Sequence, residues 1–189
     1  MTNHSGRVRW RLIVPISLAL FTAATLGATE GTRTAAFLAF TQRNYRDALS
    51  RYAAINDHSG AGMTWLALHQ PEEAERSFRQ GGDVRGLGLC ALTRRDLRTA
   101  MDYFATARDD RGLGLAYLAL RDDEAAIAAF ARANDWSGLG LVHLARQHYG
   151  EAKHCFEQVQ DRSGLGLCAL KERKLEEATT HFTKANDQS

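Results

Sequence analysis

Hydrophobic and polar positions recur along the chain with the period of an α-helix. Between residues 97 and 104, apolar side chains recur at i, i+3, i+4 and i+7, in Leu97, Ala100, Met101 and Phe104. This spacing places one apolar stripe on one face of an α-helix and leaves the other face in water. The preceding residues 86–92 have no polar side at all. A helix that is apolar on every side is expected to be enclosed by neighbours. The pattern predicts a helical hairpin whose first helix is inner and whose second is outer.

This hairpin pattern recurs every 26 residues. Each copy carries a Gly-x-Gly pair, an aspartate three residues before the pair, and an alanine and a phenylalanine in the second helix. The glycine pairs are Gly60/Gly62, Gly86/Gly88, Gly112/Gly114, Gly138/Gly140 and Gly164/Gly166. The aspartates are Asp57, Asp83, Asp109, Asp135, Asp161 and Asp187, and the phenylalanines are Phe78, Phe104, Phe130, Phe156 and Phe182. Repeats of this length are typical of stacked supersecondary units. The sequence predicts about twelve short helices in residues 35–186, without strands, in six units of which the first is atypical.

The aspartates and glycines have different physical roles. An aspartate such as Asp83 is expected to cap a helix that runs to about Leu92, and a second helix is expected from about Asp96. Glycine costs about 1 kcal/mol relative to alanine inside a helix, so ten of them cost on the order of 10 kcal/mol. Packing must offset this loss. We therefore expect the glycines to let neighbouring helices approach closely.

The arrangement of one unit resembles the tetratricopeptide repeat. The positions that carry the resemblance are Leu87, Gly88, Ala91, Leu97, Ala100, Phe104 and Ala107. The unit here has 26 residues where that family has 34, the family's closing proline is absent, and its leading tryptophan appears only as Trp136. The resemblance implies an all-α, right-handed solenoid of about six antiparallel helical hairpins. It also implies that the first helices line a concave groove that binds proteins or peptides.

Two groove-lining positions of that family correspond to repeated positions in this chain. The first is occupied by Ser59, Arg85, Arg111, Ser137 and Ser163, and the second by Met63, Leu89, Leu115, Leu141 and Leu167. Members that grip carboxylates have a polar residue at the second position, so an apolar or tightly closed groove is expected here. We also expect the last unit to expose apolar surface that contacts another protein or a second copy of the chain. The candidate partner-binding residues are Arg85, Arg111, Leu89, Leu115, Leu141, Leu175 and Phe182.

The N-terminal residues differ from the repeats. Residues 1–11 contain three arginines, and residues 12–28 are uncharged and largely apolar. This pattern is typical of a signal anchor or a cleaved signal peptide, with a buried core helix as a third alternative. Residues 29–34 would be a linker, and residues 35–189 the solenoid. With the arginines on the cytoplasmic side, the body would lie on the non-cytoplasmic side of a membrane, or be secreted or periplasmic after cleavage.

Charge and motif content exclude several classes of function. Three of the 24 basic residues and one of the 22 acidic residues lie in the first 30 positions, which leaves the body neutral and argues against nucleic-acid binding. No phosphate-binding glycine loop, metal-ligand set or oriented nucleophile is evident, so no cofactor, no metal and no catalytic residue is predicted. The three cysteines are expected to be buried packing residues. The sequence favours a membrane-tethered or exported interaction scaffold or assembly factor. The alternative is a structural subunit of a membrane complex without a peptide-binding groove.

Overall fold

Short helices follow one another through the whole described chain. A computed structural model describes residues 29–186. Helix α1 covers residues 29–41. It is followed by α2 (Tyr45–Ala54), α3 (His58–Ala67), α4 (Pro71–Gly81), α5 (Val84–Thr93), α6 (Leu97–Thr106), α7 (Asp110–Leu120), α8 (Asp123–Arg132), α9 (Trp136–Ala145), α10 (Tyr149–Gln158), α11 (Arg162–Lys171) and α12 (Leu175–Asn186). Residues 29–186 contain no strand. The predicted all-α repeat of helical hairpins is confirmed.

The helices form two layers, as the hydrophobic pattern predicts. Successive first helices of the units, α3, α5, α7, α9 and α11, contact one another. Each second helix from α4 to α10 packs against the first helix of its own unit and that of the next. The second helices α4, α6, α8 and α10 each contribute a buried alanine and a buried phenylalanine to the core, such as Ala100 and Phe104. The core is therefore a continuous seam between the two layers.

A 13-residue period underlies the 26-residue repeat. In every turn one residue has a left-handed φ between 51° and 65°. These residues are Arg43, Asn56, His69, Gly82, Arg95, Arg108, Arg121, Asn134, Gln147, Gln160 and Arg173. The residue after each of them donates its backbone N–H to the carbonyl five positions back, as in Asp109 to Phe104 at 2.8 Å. This Schellman bond ends one helix, and the donor residue is also the N-cap position of the next. A hairpin therefore consists of two helix-and-turn steps of equal length.

The beginning of the described chain corrects one expectation. Residues 29–34, expected to be a linker, are helical and form the start of α1. The reason is that the repeat frame begins earlier than residue 35: Arg33 stands 26 positions before Ser59, and its Nε donates to Asp57 Oδ2 at 3.1 Å. This contact links α1 to the next unit.

The apolar segment 12–28 lies outside the described residues. Within residues 29–186, no helix combines the length and the apolar character needed to cross a bilayer.

Candidate interaction surface of the repeat array

Glycine pairs hold the phenylalanine rings at the centre of the array. The Phe104 ring lies between the second glycine of its own unit, Gly88, and the first glycine of the next, Gly112. A Cβ at Gly88 would lie 2.6 Å from Phe104 Cε1, and one at Gly112 would lie 2.3 Å from Cδ1. The same arrangement surrounds Phe78, Phe130 and Phe156. The glycines therefore make room for a ring from the outer layer, and the close approach expected at these positions is that of the ring to the first helices.

The repeated aspartates cap the first helices, as predicted. Oδ1 of Asp57, Asp83, Asp109, Asp135 and Asp161 accepts the backbone N–H of the first glycine of its unit, at 2.8–3.2 Å. Asp96 and Asp122 cap second helices in the same way. Each of these bonds satisfies a helix N–H that otherwise has no partner. Within residues 29–186, no group of three or more potential metal-ligating side chains is close enough to hold an ion.

The second oxygen of the aspartates links neighbouring units. Arg85 Nε lies 3.0 Å from Asp109 Oδ2, and Arg111 Nε lies 2.8 Å from Asp135 Oδ2. Arg33 pairs with Asp57 in the same way, whereas Ser137 Oγ donates to Asp161 Oδ2 at 3.3 Å. The side chains of Arg85 and Arg111 remain 62% and 65% exposed. Both are candidate partner-binding residues, and the structure shows that they already bridge adjacent hairpins.

The candidate leucines lie along the first helices. Leu89, Leu115 and Leu141 are half-buried. Leu115 and Leu141 line a groove of about 500 Å³ near the C-terminal ends of α5, α7 and α9. Its wall is completed by other apolar side chains and by Arg95 and Arg121 from the turns. The structure thus brings two of the predicted leucines together with two arginines that the sequence analysis did not single out. The 26-residue spacing of these arginines was the signal that could have identified them.

The last described unit exposes apolar surface. The Phe182 ring is packed against Gly166 on one face, and no described residue supplies the second glycine that covers the rings of earlier units. Phe182 is 37% exposed, whereas Phe78, Phe104 and Phe130 are fully buried. Leu175, about two helical turns before it in α12, is 65% exposed. The two predicted residues therefore belong to one exposed apolar region.

The cysteine thiols are packing groups. Cys90, Cys155 and Cys168 are free and buried. Burial raises the pKa of all three thiols, that of Cys90 to about 11. The reactive thiolate is therefore rare near neutral pH. This agrees with the expectation of buried cysteines inside the array.

Comparison with known families identifies the repeat. The model of the tetratricopeptide repeat matches residues 112–138, which run from the first glycine of α7 through α8 to the first glycine of α9. Neither the curated proteins nor the solved structures contain a significant match to the chain. The units on either side of the matched one have the same aspartate cap on the first helix, the same left-handed turns and the same glycine-bounded ring. The chain is a tetratricopeptide-like repeat protein.

Proposed function

We propose that the array is an interaction scaffold or assembly factor that binds proteins through the exposed side of its first helices. Tetratricopeptide repeats generally serve protein binding, and a solenoid offers an extended surface for it. The observation that carries this proposal is the groove containing Leu115 and Leu141. These leucines are only half-buried, although the residues before them, Gly114 and Gly140, are buried against phenylalanine rings of the core.

A charge in this groove tests the proposal. Leu115→Glu should abolish recovery of partners by the affinity-tagged chain from native membranes, because it introduces a carboxylate into an apolar contact. Asp102→Arg, on the exposed side of α6, is the matched control and should recover the same partners as the parent. Equal recovery by Leu115→Glu and the parent would contradict binding at this surface. Far-UV circular dichroism of both variants must match the parent.

We further propose that the N-terminal residues tether the scaffold to a membrane or direct its export. The support is the order of three arginines followed by an uncharged segment, residues 12–28. This order places the array on the non-cytoplasmic side. Carbonate extraction distinguishes the two forms, since an anchored chain stays in the pellet and a cleaved one is released. A cytoplasmic location of an unprocessed, extractable chain would refute both.

The exposed region formed by Leu175 and Phe182 supports a second contact. Apolar patches of this kind mark protein interfaces, and we propose that another protein or a second copy of the chain covers this one. In the earlier units each phenylalanine ring also packs against the first glycine of the next unit. A partner that packs on Phe182 in the same way must present a helix with a glycine at the point of contact.

A further inference from the structure

A cleft on the outer side of the array lies between α2 and α4, over α3. Its volume is about 770 Å³, within the range of about 300–1,000 Å³ that is typical of small-molecule sites. We call it the outer cleft and define it by Tyr45, Leu49, Tyr52, Ala61, Trp65 and Leu68. The groove-lining positions Ser59 and Met63 do not contribute to it. The outer cleft is therefore separate from the groove of the proposed function.

The centre of the outer cleft lacks a side chain that later units have. Ala61 occupies a repeat position at which the following units carry leucine. These leucines are Leu87, Leu113, Leu139 and Leu165. Each of them packs against the cluster that contains the phenylalanine of the preceding second helix, whereas Ala61 packs against the cluster that contains Tyr52. Because Ala61 has a methyl group where leucine has an isobutyl group, the first junction has room for an aliphatic group from outside the chain.

One end of the outer cleft is apolar at positions that later units use for ion pairs. Leu49 and Leu68 line this end, and Arg46 lies beside them with an exposed side chain. In two later units, the equivalent residues of the second helix and of the end of the next first helix are oppositely charged and paired. These pairs are Glu75 with Arg94 and Lys153 with Glu172. The first junction has hydrocarbon in place of these charges, so this end favours an apolar chain.

The opposite end of the outer cleft is polar. Asn56, His58 and Gln80 line it and offer hydrogen-bond donors and acceptors. Asp57 lines it as well, and Arg33 donates from Nε to Asp57 Oδ2 at 3.1 Å. These two charges compensate each other, so an ionised ligand group would find no unpaired partner there. The polar end therefore favours an uncharged polar group over a charged one.

From this geometry we infer that the outer cleft binds a molecule with a single aliphatic chain and an uncharged polar head, such as a hydroxyl or an amide. The chain fills the space beside Ala61 and Tyr52 that leucine fills in later units, and burial of its methylene groups drives binding. The head forms hydrogen bonds with Asn56, His58 and Gln80 at the polar end. This ligand site goes beyond the scaffold function, because it uses the outer layer of the first junction.

Photolabelling of the full chain tests this inference. The probe is decan-1-ol with a diazirine in its chain, and mass spectrometry identifies the labelled peptides. The parent should be labelled within residues 45–80, which contain the lining of the cleft, and an excess of unlabelled decanol should remove this label. Ala61→Leu should reduce the label at least about tenfold, because the new side chain occupies the space of several methylene groups. Its Tm should equal or exceed that of the parent, since later units accommodate leucine at this position.

A second variant tests the site through its apolar end. Leu49→Glu/Leu68→Arg introduces the ion pair of the next unit and should also reduce the label within residues 45–80 at least about tenfold. Met101→Glu/Leu120→Arg introduces the same pair at the equivalent positions of a junction outside the cleft and is the matched control. It should change the label by less than about twofold, because the two sites are independent.

The inference is overturned if residues 45–80 are not labelled, or if excess decanol does not compete for the label. It is also overturned if the label persists in Leu49→Glu/Leu68→Arg, or if the control loses as much of it. A decanoate probe that labels the cleft as strongly as the decanol probe would contradict the uncharged head. None of these results affects the scaffold proposal, because recovery of partners by Leu115→Glu tests it separately.

Discussion

Replacing Gly112 with alanine sets helix propensity directly against packing. In an open helix this change stabilises by about 1 kcal/mol. At position 112 the new Cβ would lie 2.3 Å from Phe104 Cδ1, 2.5 Å from Cγ and 2.6 Å from Cε1. The ring is fully buried and has little room to move, because its Cδ1 and Cε1 atoms also lie against Gly88. Overpacking of a core costs about 1–3 kcal/mol, and a ring confined by two glycines places the cost at the upper end. We expect a net loss of about 2 kcal/mol, and a larger loss for Gly112→Leu.

The assay is thermal and urea unfolding followed by far-UV circular dichroism. A loss of about 2 kcal/mol corresponds to a fall in Tm of roughly 4–8 °C for a chain of this size. Gly150→Ala is the matched control, since Gly150 is an exposed helical glycine of α10 with no atom within 4 Å of an added Cβ. It should stabilise by up to about 1 kcal/mol. Phe104→Leu should cost less in the Gly112→Ala background than in the parent, because the smaller side chain relieves the clash. If Gly112→Ala stabilised the array as Gly150→Ala does, the glycine–ring packing would be wrong.

Three further substitutions or measurements test other parts of the structure. Asp109→Ala should lower the free energy of unfolding by about 1 kcal/mol because it removes the cap on Gly112 N–H. Asp109→Asn keeps a capping oxygen and should cost less. A melting temperature of the parent that rises with calcium would contradict this role. The Cys90 thiol should react slowly with a thiol reagent in the native chain at neutral pH, and rapidly after unfolding. Burial raises the folded pKa of the Cys90 thiol to about 11, above the 9.0 of a free thiol, so its contribution to stability is complete below pH 9 and is lost as pH rises through 11. Cys90→Ala should remove this part of the alkaline loss. Phe182→Asp should reduce self-association or partner recovery and also lower the Tm, because its ring packs against Gly166, whereas Leu175→Asp, at a side chain 65% exposed, should reduce recovery with little loss of Tm; unchanged recovery by both variants would contradict a contact at this end.

The repeat frame was predictable because it depends on local chemistry. An aspartate before a helical run caps it by accepting the backbone N–H three residues on, and Asp83 and Asp96 begin helices within a residue of the expected positions. The two layers were predictable for a similar reason, since the polarity of each helix determines how much of its surface is buried.

The 13-residue period was not predicted, because the residues that mark it differ in type. The left-handed conformation is set by the backbone hydrogen bond that closes each helix, and Arg108, Asn134 and Gln160 all adopt it. No shared side chain signals these positions. The helical state of residues 29–34 was missed for a related reason, as the first unit lacks the glycines and aspartate that define the frame.

The function of the glycines depends on tertiary register, which a single repeat does not reveal. Gly88 and Gly112 belong to different units and meet only at the ring of Phe104. Likewise Arg85 lies 24 residues from its partner Asp109, across a unit boundary. Sequence periodicity identifies such residues as equivalent, but only the stacking of one hairpin on the next determines which atoms they contact.

Site-specific photocrosslinking tests the central claim, that the first helices of the array bind other proteins. A benzophenone amino acid at Leu115 places the reactive group in the groove, and the same group at Asp102 places it on the exposed side of α6. Irradiation of cells that contain the full chain should give discrete protein adducts from position 115 and none of these from position 102. Adducts that are absent from position 115, or identical from both positions, would contradict the claim.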